Sequence, residues 1–132
     1  MNMIDYVKKA ILENYVNFKG RATRPEYWWF FLFQVLLSIV VNILSFAVPI
    51  LGTILGLASL AILLPGLAVG VRRLHDIGKS GWFLLVALIP LIGTIWLIVL
   101  LATEGQSGAN EYGPDPRNPI TTFDFEQQKL QP

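Results

Sequence analysis

Residues 27–71, YWWFFLFQVLLSIVVNILSFAVPILGTILGLASLAILLPGLAVGV, decide the fold, because none of these 45 residues is Asp, Glu, Lys, Arg or His. A second uncharged run of 24 residues covers 80–103. A helix needs about 20 apolar residues to cross the hydrocarbon core of a bilayer. The first run is therefore long enough for two crossings and the second for one. The sequence predicts an all-α integral membrane protein with an N-terminal amphipathic helix and three transmembrane helices.

Periodicity and capping signals set the predicted boundaries. Apolar residues recur every three or four positions over 3–18, which predicts an amphipathic helix lying on the bilayer surface or packed on the other elements. Thr23 and Glu26 form a T-x-x-E capping box around Pro25, so a helix is expected to begin near Arg24. The predicted organisation is an interfacial segment at 1–22, a membrane domain at 23–104 with spans at about 26–47, 51–71 and 82–103, and a polar tail at 105–132 that is flexible after about 118.

Lys and Arg residues predict the orientation of the chain, since cytoplasmic loops carry an excess of them. Five precede the first span, three lie between the second and third spans, and none lies between the first and second. The N-terminus and the loop at 72–80 are therefore expected on the cytoplasmic side, and three complete spans place the tail on the opposite side. Pro90 leaves an alternative open. If it makes the third span re-entrant, the tail returns to the cytoplasm and joins the basic residues.

The loop sequence RRLHD at 72–76 concentrates charge between two apolar runs. On a helix Arg72 and Asp76 are four residues apart and can pair, while Arg73 is expected to point elsewhere. Arginine matches phosphate oxygens, and anionic lipids attract bases near the membrane surface. We therefore predict an anion site. The alternative is that these charges only fix the topology and form ion pairs that hold the helix ends together. The candidate anion contacts are Arg21, Arg24, Arg72, Arg73 and Lys79, with Glu26, His75 and Asp76 orienting or pairing with them.

A polar stripe runs along the first predicted span. Its members, at spacings of four, four and three on one helix face, are Gln34, Ser38, Asn42 and Ser45. Lipid offers no hydrogen-bond partners, so the stripe should face protein, either as interhelical hydrogen bonds or as the wall of a solute path. Three spans are too few for a lone transporter, so the second interpretation requires an oligomer of this chain.

Signatures of common chemistries are absent from the sequence. There is no Cys and only one His, which excludes disulfides, thiolate catalysis and the usual zinc sets. Gly78-Lys79-Ser80 looks like the end of a phosphate-binding loop, but Arg73 stands at the first glycine position and a helix precedes it. No G-x-S-x-G elbow is present. We expect no cofactor, no metal and no nucleic-acid partner, and an enzyme acting on lipid head groups, dependent on His75, is only a third hypothesis.

Four motifs carry a family resemblance: F-x-G-R-x-x-R-x-x-Y-W at 18–28, R-R-L-H-D-x-x-K-S-G-W at 72–82, P-x-x-G at 90–93 and G-x-x-G-x-N-x-Y-G-x-D-P at 105–116. Together they resemble the bacterial domain-of-unknown-function 805 family, the YhaH-like inner-membrane proteins, over roughly residues 15–117. The family signature falls on Phe18, Gly20, Arg21, Arg24, Trp28, Arg72, Arg73, Leu74, His75, Asp76, Gly81, Trp82, Asn110, Tyr112, Gly113, Asp115 and Pro116. Glu111 departs from the family, where a basic residue is common, and this weakens an anion-binding role for the tail. The resemblance implies the bacterial inner membrane and brings no known activity.

The predicted function is that of a small, multi-pass, non-enzymatic inner-membrane protein. Its cytoplasmic basic cluster, RRLHD with G-R-x-x-R, would bind anionic lipid head groups or a partner protein. The alternative is a homo-oligomeric permeation subunit for a small solute or ion that uses the polar stripe.

Overall fold

The computed structural model describes residues 1–117, and the predicted flexibility after about 118 lies outside the described residues. The described chain is helical, with one isolated bridge between Asn110 and Gly113. The all-α prediction is therefore confirmed. Five α-helices are α1 Met3–Lys8, α2 Arg24–Ala47, α3 Pro49–Ala58, α4 Leu63–Asp76 and α5 Ile92–Ala102, with a π-helical turn at Lys9–Glu13 and 3-10 segments at Ser59–Ile62 and Gly81–Leu88.

The described residues form two compact units. One contains Met1–Asn17 and Pro25–Val69, and the other contains Phe18–Arg24 and the described residues from Gly70 onward. Each unit is considered by itself below.

The first unit is built on a helical hairpin. Helix α2 begins at Arg24, as the capping box predicts, and ends at Ala47, so that only Val48 separates it from α3. Pro49 is the first residue of α3, where its missing N–H costs nothing. The two arms run antiparallel, because Ser45 packs on Gly52 near the turn and Gln34 packs on Gly66 further along.

The N-terminal helix of the first unit is shorter than predicted. Its α-helix ends at Lys8 and continues only through the π-helical turn at Lys9–Glu13, instead of reaching residue 18. Asn2 caps the helix start, with its side chain accepting from the Asp5 N–H at 3.0 Å. The hydroxyl of Tyr15 donates to the carbonyl of Ala61, so this segment packs on the hairpin.

Burial in the chain is inverted relative to a soluble domain. Among the largest fully buried side chains are Arg73, Glu26 and Asp76, whereas Phe46 is 94% exposed and Leu88 is 78% exposed. Two helices, Arg24–Ala47 and Pro49–Asp76, are long and apolar enough to cross a membrane, each with a mean hydropathy of 2.3 over its best window. A soluble protein rarely exposes so large an apolar surface, so these helices are suited to lipid.

The third apolar run does not form one helix in the second unit. A 3-10 helix covers Gly81–Leu88, the chain turns at Pro90, and α5 follows at Ile92–Ala102. The segment predicted as a span at about 82–103 is therefore interrupted at Pro90, the residue at which the sequence predicts a break. Proline disfavours helical geometry in the residue before it, and Ile89 is extended.

The turn that joins the 3-10 helix at Gly81–Leu88 to α5 is tight, and these two segments are the arms of the apolar hairpin of the second unit. Leu91 has φ 63°, which is unusual for a residue with a side chain. The Ile92 N–H reaches the Pro90 carbonyl at 2.7 Å, and the Gly93 N–H reaches the Ile89 carbonyl at 3.1 Å. These bonds satisfy backbone groups that lipid could not.

Candidate functional site: a buried arginine–aspartate cluster

Asp76, the last residue of α4, is the centre of the second unit. Its side chain is fully buried and accepts from three arginines that come from three separate segments. Arg73 Nη1 and Arg117 Nη1 each lie 2.6 Å from Oδ2, and Arg21 Nε lies 3.0 Å from Oδ1. Arg117 Nη2 also donates to Oδ1 at 3.0 Å, which makes this contact bidentate. Paired and multiply hydrogen-bonded in this way, the charges tolerate burial.

Arg73 is as buried as Asp76 and links three segments. Its Nε donates to the Leu101 carbonyl at 2.9 Å, and its Nη2 donates to the Thr103 carbonyl. Its Nη1 also lies 3.3 Å from the Ala22 carbonyl. The prediction that Arg73 points away from Asp76 is wrong, because the i,i+3 spacing brings the two side chains together as readily as i,i+4 does.

Arg21 binds the residues that follow α5. Its guanidinium donates to the carbonyls of Gly108, at 2.6 Å, and of Gln106. Gln106 also bonds the end of α4, because its N–H donates to the Asp76 carbonyl at 2.8 Å. Gly105 lies so close to the cluster that a Cβ there would overlap Asp76 Oδ2 and Arg117 Nη1. Only glycine allows the backbone this approach.

Residues 105–117 fold over the cluster as a compact cap, hereafter the tail cap. Asp115 accepts from the backbone N–H groups of Gly108, at 2.9 Å, and Arg117, at 3.0 Å. Asn110 Nδ2 donates to the His75 carbonyl at 2.9 Å. Of the predicted tail motif, which is Asn110, Tyr112, Gly113, Asp115 and Pro116, the structure brings Asn110 and Tyr112 onto His75 of the loop, while Asp115 holds the backbone of the cap itself.

His75 has a different role from the predicted one of orienting arginines. Its ring stacks on Tyr112, with centroids 4.0 Å apart and planes within 1°. Its Nδ1 lies 2.9 Å from the Gly20 carbonyl, so Nδ1 is the donor of that bond. His75 thus fastens the 18–24 segment and the tail cap to the end of α4.

Three complete spans predict a tail on the opposite side of the membrane from residues 72–80. The structure joins the start of the tail to this loop through an ion pair of 2.6 Å between Arg117 and Asp76. The alternative that Pro90 leaves open, a tail that joins the basic residues, agrees with this contact. Sequence reasoning missed Arg117 and Gln106, since both lie outside any local spacing rule that connects them to the loop.

The five predicted anion contacts divide into two groups. Arg21, Arg72 and Arg73 are buried, and Arg72 also accepts the Ala22 N–H on its carbonyl at 2.9 Å. Arg24 and Lys79 are exposed. Lys19 is exposed as well. We call these three exposed basic residues the basic rim: Lys19, Arg24 and Lys79.

An aromatic side chain adjoins the basic rim. Trp82, three residues after Lys79, is 78% exposed. Lys79 Nζ lies 5.6 Å from the centroid of the Phe83 ring. Cationic and aromatic side chains with this exposure are typical of the head-group level of a bilayer.

The remaining predicted residues lie in the first unit. Glu26 is buried and pairs with Lys9 at 3.4 Å. Gln34 and Ser38 line a groove, Asn42 donates to the Ser38 carbonyl at 2.7 Å, and Ser45 packs on Gly52. Among residues 1–117 no three His, Cys, Asp or Glu side chains are grouped so as to hold a metal ion.

Acid is expected to loosen the tail cap through Asp115. Burial raises the pKa of its carboxyl, but the N–H groups of Arg117 and Gly108 and the charges of Arg117 and Arg21 outweigh burial, so the pKa lies below its usual value. A depressed folded-state pKa gives stability that is present above the unfolded pKa of about 3.9 and is lost as pH falls through the folded value. Hydrogen exchange of the Gly108 amide should therefore gain protection as pH rises through this range.

The control for this pH dependence is Asp115→Asn, which cannot ionise. Compared at each pH, the variant should show the same Gly108 protection above and below pH 4, after correction for intrinsic exchange. An equal pH dependence in the variant would assign the acid effect to another group.

Inverted burial and two helices long and apolar enough to cross a bilayer are typical of a multi-pass helical membrane protein. The chain belongs to the family described as "Protein of unknown function (DUF805)", whose model matches residues 15–114. This confirms the family resemblance and makes the chain a bacterial inner-membrane protein of an uncharacterised family.

Three relatives from Escherichia coli (strain K12) are similar over most of the chain. "Inner membrane protein YhaI" is 44% identical over 112 residues, covering 82% of this chain and 92% of the relative. "Inner membrane protein YhaH" is 41% identical over 115 residues, covering 81% and 93%. "Uncharacterized protein YiiR" is 32% identical over 133 residues, covering 77% and 87%. No solved structure matches the chain.

Proposed function

We propose that this protein is a non-enzymatic inner-membrane component whose basic rim binds anionic lipid head groups at the cytoplasmic surface. The observation that carries the proposal is the division of the basic side chains. Arg21 and Arg73 direct their guanidinium groups at buried acceptors. Arg24, Lys79 and Lys19 are exposed, and Arg24 makes one long bond, of 3.4 Å, to the Ala102 carbonyl. The buried arginines hold the fold, and the rim is the part that can meet a ligand.

A phospholipid head group is the ligand that this surface suits. Lys79 and the exposed Trp82 are three residues apart. Such side chains anchor at the head-group level, with an ammonium near phosphate and an indole at the hydrocarbon boundary. Anionic lipid attracts each juxtamembrane Lys or Arg by about 1 kcal/mol. Three rim residues can therefore favour anionic over zwitterionic lipid by a measurable amount.

The proposed topology has two complete crossings, Arg24–Ala47 and Pro49–Asp76, and one re-entrant hairpin. The 3-10 arm of eight residues is about 16 Å long and the eleven residues of α5 about 17 Å. Each arm reaches only about halfway through a 30 Å hydrocarbon core. Every Lys and Arg of residues 1–117 then lies on the cytoplasmic side, together with both the N-terminus and the tail cap, in agreement with the positive-inside rule.

Native mass spectrometry of the purified protein tests the lipid site. The wild type should retain phosphatidylglycerol or cardiolipin in preference to phosphatidylcholine. Replacing Arg24 and Lys79 by Gln removes two exposed charges without touching Asp76, and should weaken retention by about 2 kcal/mol, roughly thirtyfold. Arg24→Lys with Lys79→Arg keeps both charges and serves as the matched control.

Two results would overturn the proposal. One is equal retention of anionic lipid by the wild type and the double Gln variant. The other is equal retention of anionic and zwitterionic lipid by the wild type. An Arg73→Ala variant would be a poorer test, because that side chain supports the fold.

A further inference from the structure

We infer that a second copy of this chain docks on the groove side of α2, with the Gln34 side chains of the two copies facing each other. The groove lies in the first unit, between α2 and the opposing arm of the hairpin, and has a volume of about 290 Å³. Gln34 and Ser38 line one wall, and Gly56 and Ser59 line the other. This inference goes beyond the proposed lipid site and does not depend on it.

The groove wall carries a polar group that the described chain leaves unsatisfied. The Gln34 carboxamide has no hydrogen-bond partner among residues 1–117. It stands ten residues into α2, about 15 Å from the start of the helix and therefore deep in the hydrocarbon. Ser38, one turn further along, is exposed, and Asn42 donates to its carbonyl within the same helix. Lipid cannot supply the missing partners, so the face requires protein against it.

The shape of the opposing arm agrees with this requirement. Three of its glycines, at 52, 56 and 66, differ in what lies over them. Ser45 covers Gly52 and Gln34 covers Gly66, both from the same chain. A Cβ at Gly56 would meet nothing within 4 Å, so a hole remains in the middle of the groove wall. Small residues at such positions allow a neighbouring helix to approach closely.

The chemistry of the face selects a second copy as the occupant. A carboxamide carries a donor and an acceptor side by side, so it is complementary to another carboxamide. A twofold axis places the same residue of two copies opposite each other, and Gln34 can then donate to and accept from Gln34. A lipid acyl chain could fill the hole at Gly56 but would leave the carboxamide unsatisfied.

Disulfide cross-linking in inner-membrane vesicles tests the docking surface, and the absence of native cysteine makes single-cysteine variants clean probes. Ser38→Cys should form a covalent dimer on mild oxidation. Val40→Cys, also exposed but about 200° around the helix, is the control and should yield about tenfold less dimer. Adding Gln34→Leu to Ser38→Cys should lower the yield about tenfold, because polar contacts between helices in a membrane contribute about 1–2 kcal/mol.

A matched variant separates this effect from a general loss of polarity. Thr53→Val removes an exposed hydroxyl that already donates to the Pro49 carbonyl at 3.2 Å, so it should leave the cross-linking unchanged. Equal yields from Ser38→Cys and Val40→Cys would overturn the inference, as would a yield insensitive to Gln34→Leu. A monomer that retains a small polar solute, lost on Gln34→Leu, would overturn it too and would assign the groove to that solute. Lipid retention by the basic rim is measured separately, so either proposal can fail alone.

Discussion

Asp76→Asn is expected to lower the free energy of unfolding by about 3–5 kcal/mol, the usual effect of removing one partner from a buried ion pair. The amide has almost the shape of the carboxylate but no charge, so the arginines at 21, 73 and 117 lose their shared counter-charge. Arg73 is fully buried and has no route to water. Thermal unfolding in detergent micelles, followed by circular dichroism, measures the loss.

The tail cap should respond to the same change. The Gln106 N–H is bonded to the Asp76 carbonyl, so its hydrogen exchange should accelerate when the cluster loosens. Glu111→Gln is the control, because it removes an exposed carboxylate of the tail cap and should change stability by less than about 0.5 kcal/mol. An Asp76→Asn protein as stable as the control would show that the cluster does not hold the second unit together.

Gly93→Val is expected to destabilise the protein by about 3 kcal/mol through overpacking between the two arms of the apolar hairpin. A Cβ at this position would overlap the Val86 carbonyl oxygen and lie 2.7 Å from the Ile89 Cβ. Val86 lies in the 3-10 arm and Ile89 in the turn. The carbonyl of Val86 is part of the backbone, so it cannot move aside as the end of a long side chain can. The arms must then separate, and the end of α5 moves with them. Unfolding in detergent again measures the effect.

The neighbouring Thr94→Ala is the control for the hairpin. Thr94 follows Gly93 in α5 and is exposed, so its side chain does not lie between the two arms. Its substitution should be nearly neutral. If Gly93→Val proved equally neutral, the close approach of α5 to Val86 would have to be abandoned.

Local patterns predicted the long helices and failed at the contacts between distant segments. The capping box at Thr23 located the start of α2, because capping depends on residues three apart. Asp76 meets Arg21 and Arg117 across separations of 55 and 41 residues, which no helical spacing rule can reach. Only the Arg73 contact is local. A helix allows Asp76 to pair with Arg73 at i,i+3 or with Arg72 at i,i+4, and spacing alone does not decide between the two.

The third apolar run, at 82–103, shows that hydropathy does not predict where a helix breaks. Residues 82–103 are uncharged throughout, so composition alone cannot tell one long helix from the two short segments that the structure shows. Pro90 marked the break, yet the direction of the chain after it depends on what the following residues bind. Those residues bind Arg21 and Asp76 through the tail cap. Similarly, counting basic residues assigned one role to all five candidates, although burial separates Arg24 and Lys79 from the others.

The arrangement of arginines around Asp76 also constrains the order of assembly during synthesis. Arg21 and Arg73 precede Asp76 in the chain, whereas Arg117 follows it by 41 residues. At about 5–20 residues per second the ribosome needs roughly 2–8 s to add that stretch. During this interval the nascent carboxylate has two of its three arginine partners, while the apolar residues at 82–103 are still being made. The cluster is therefore completed only after all the apolar segments of the chain have been synthesised.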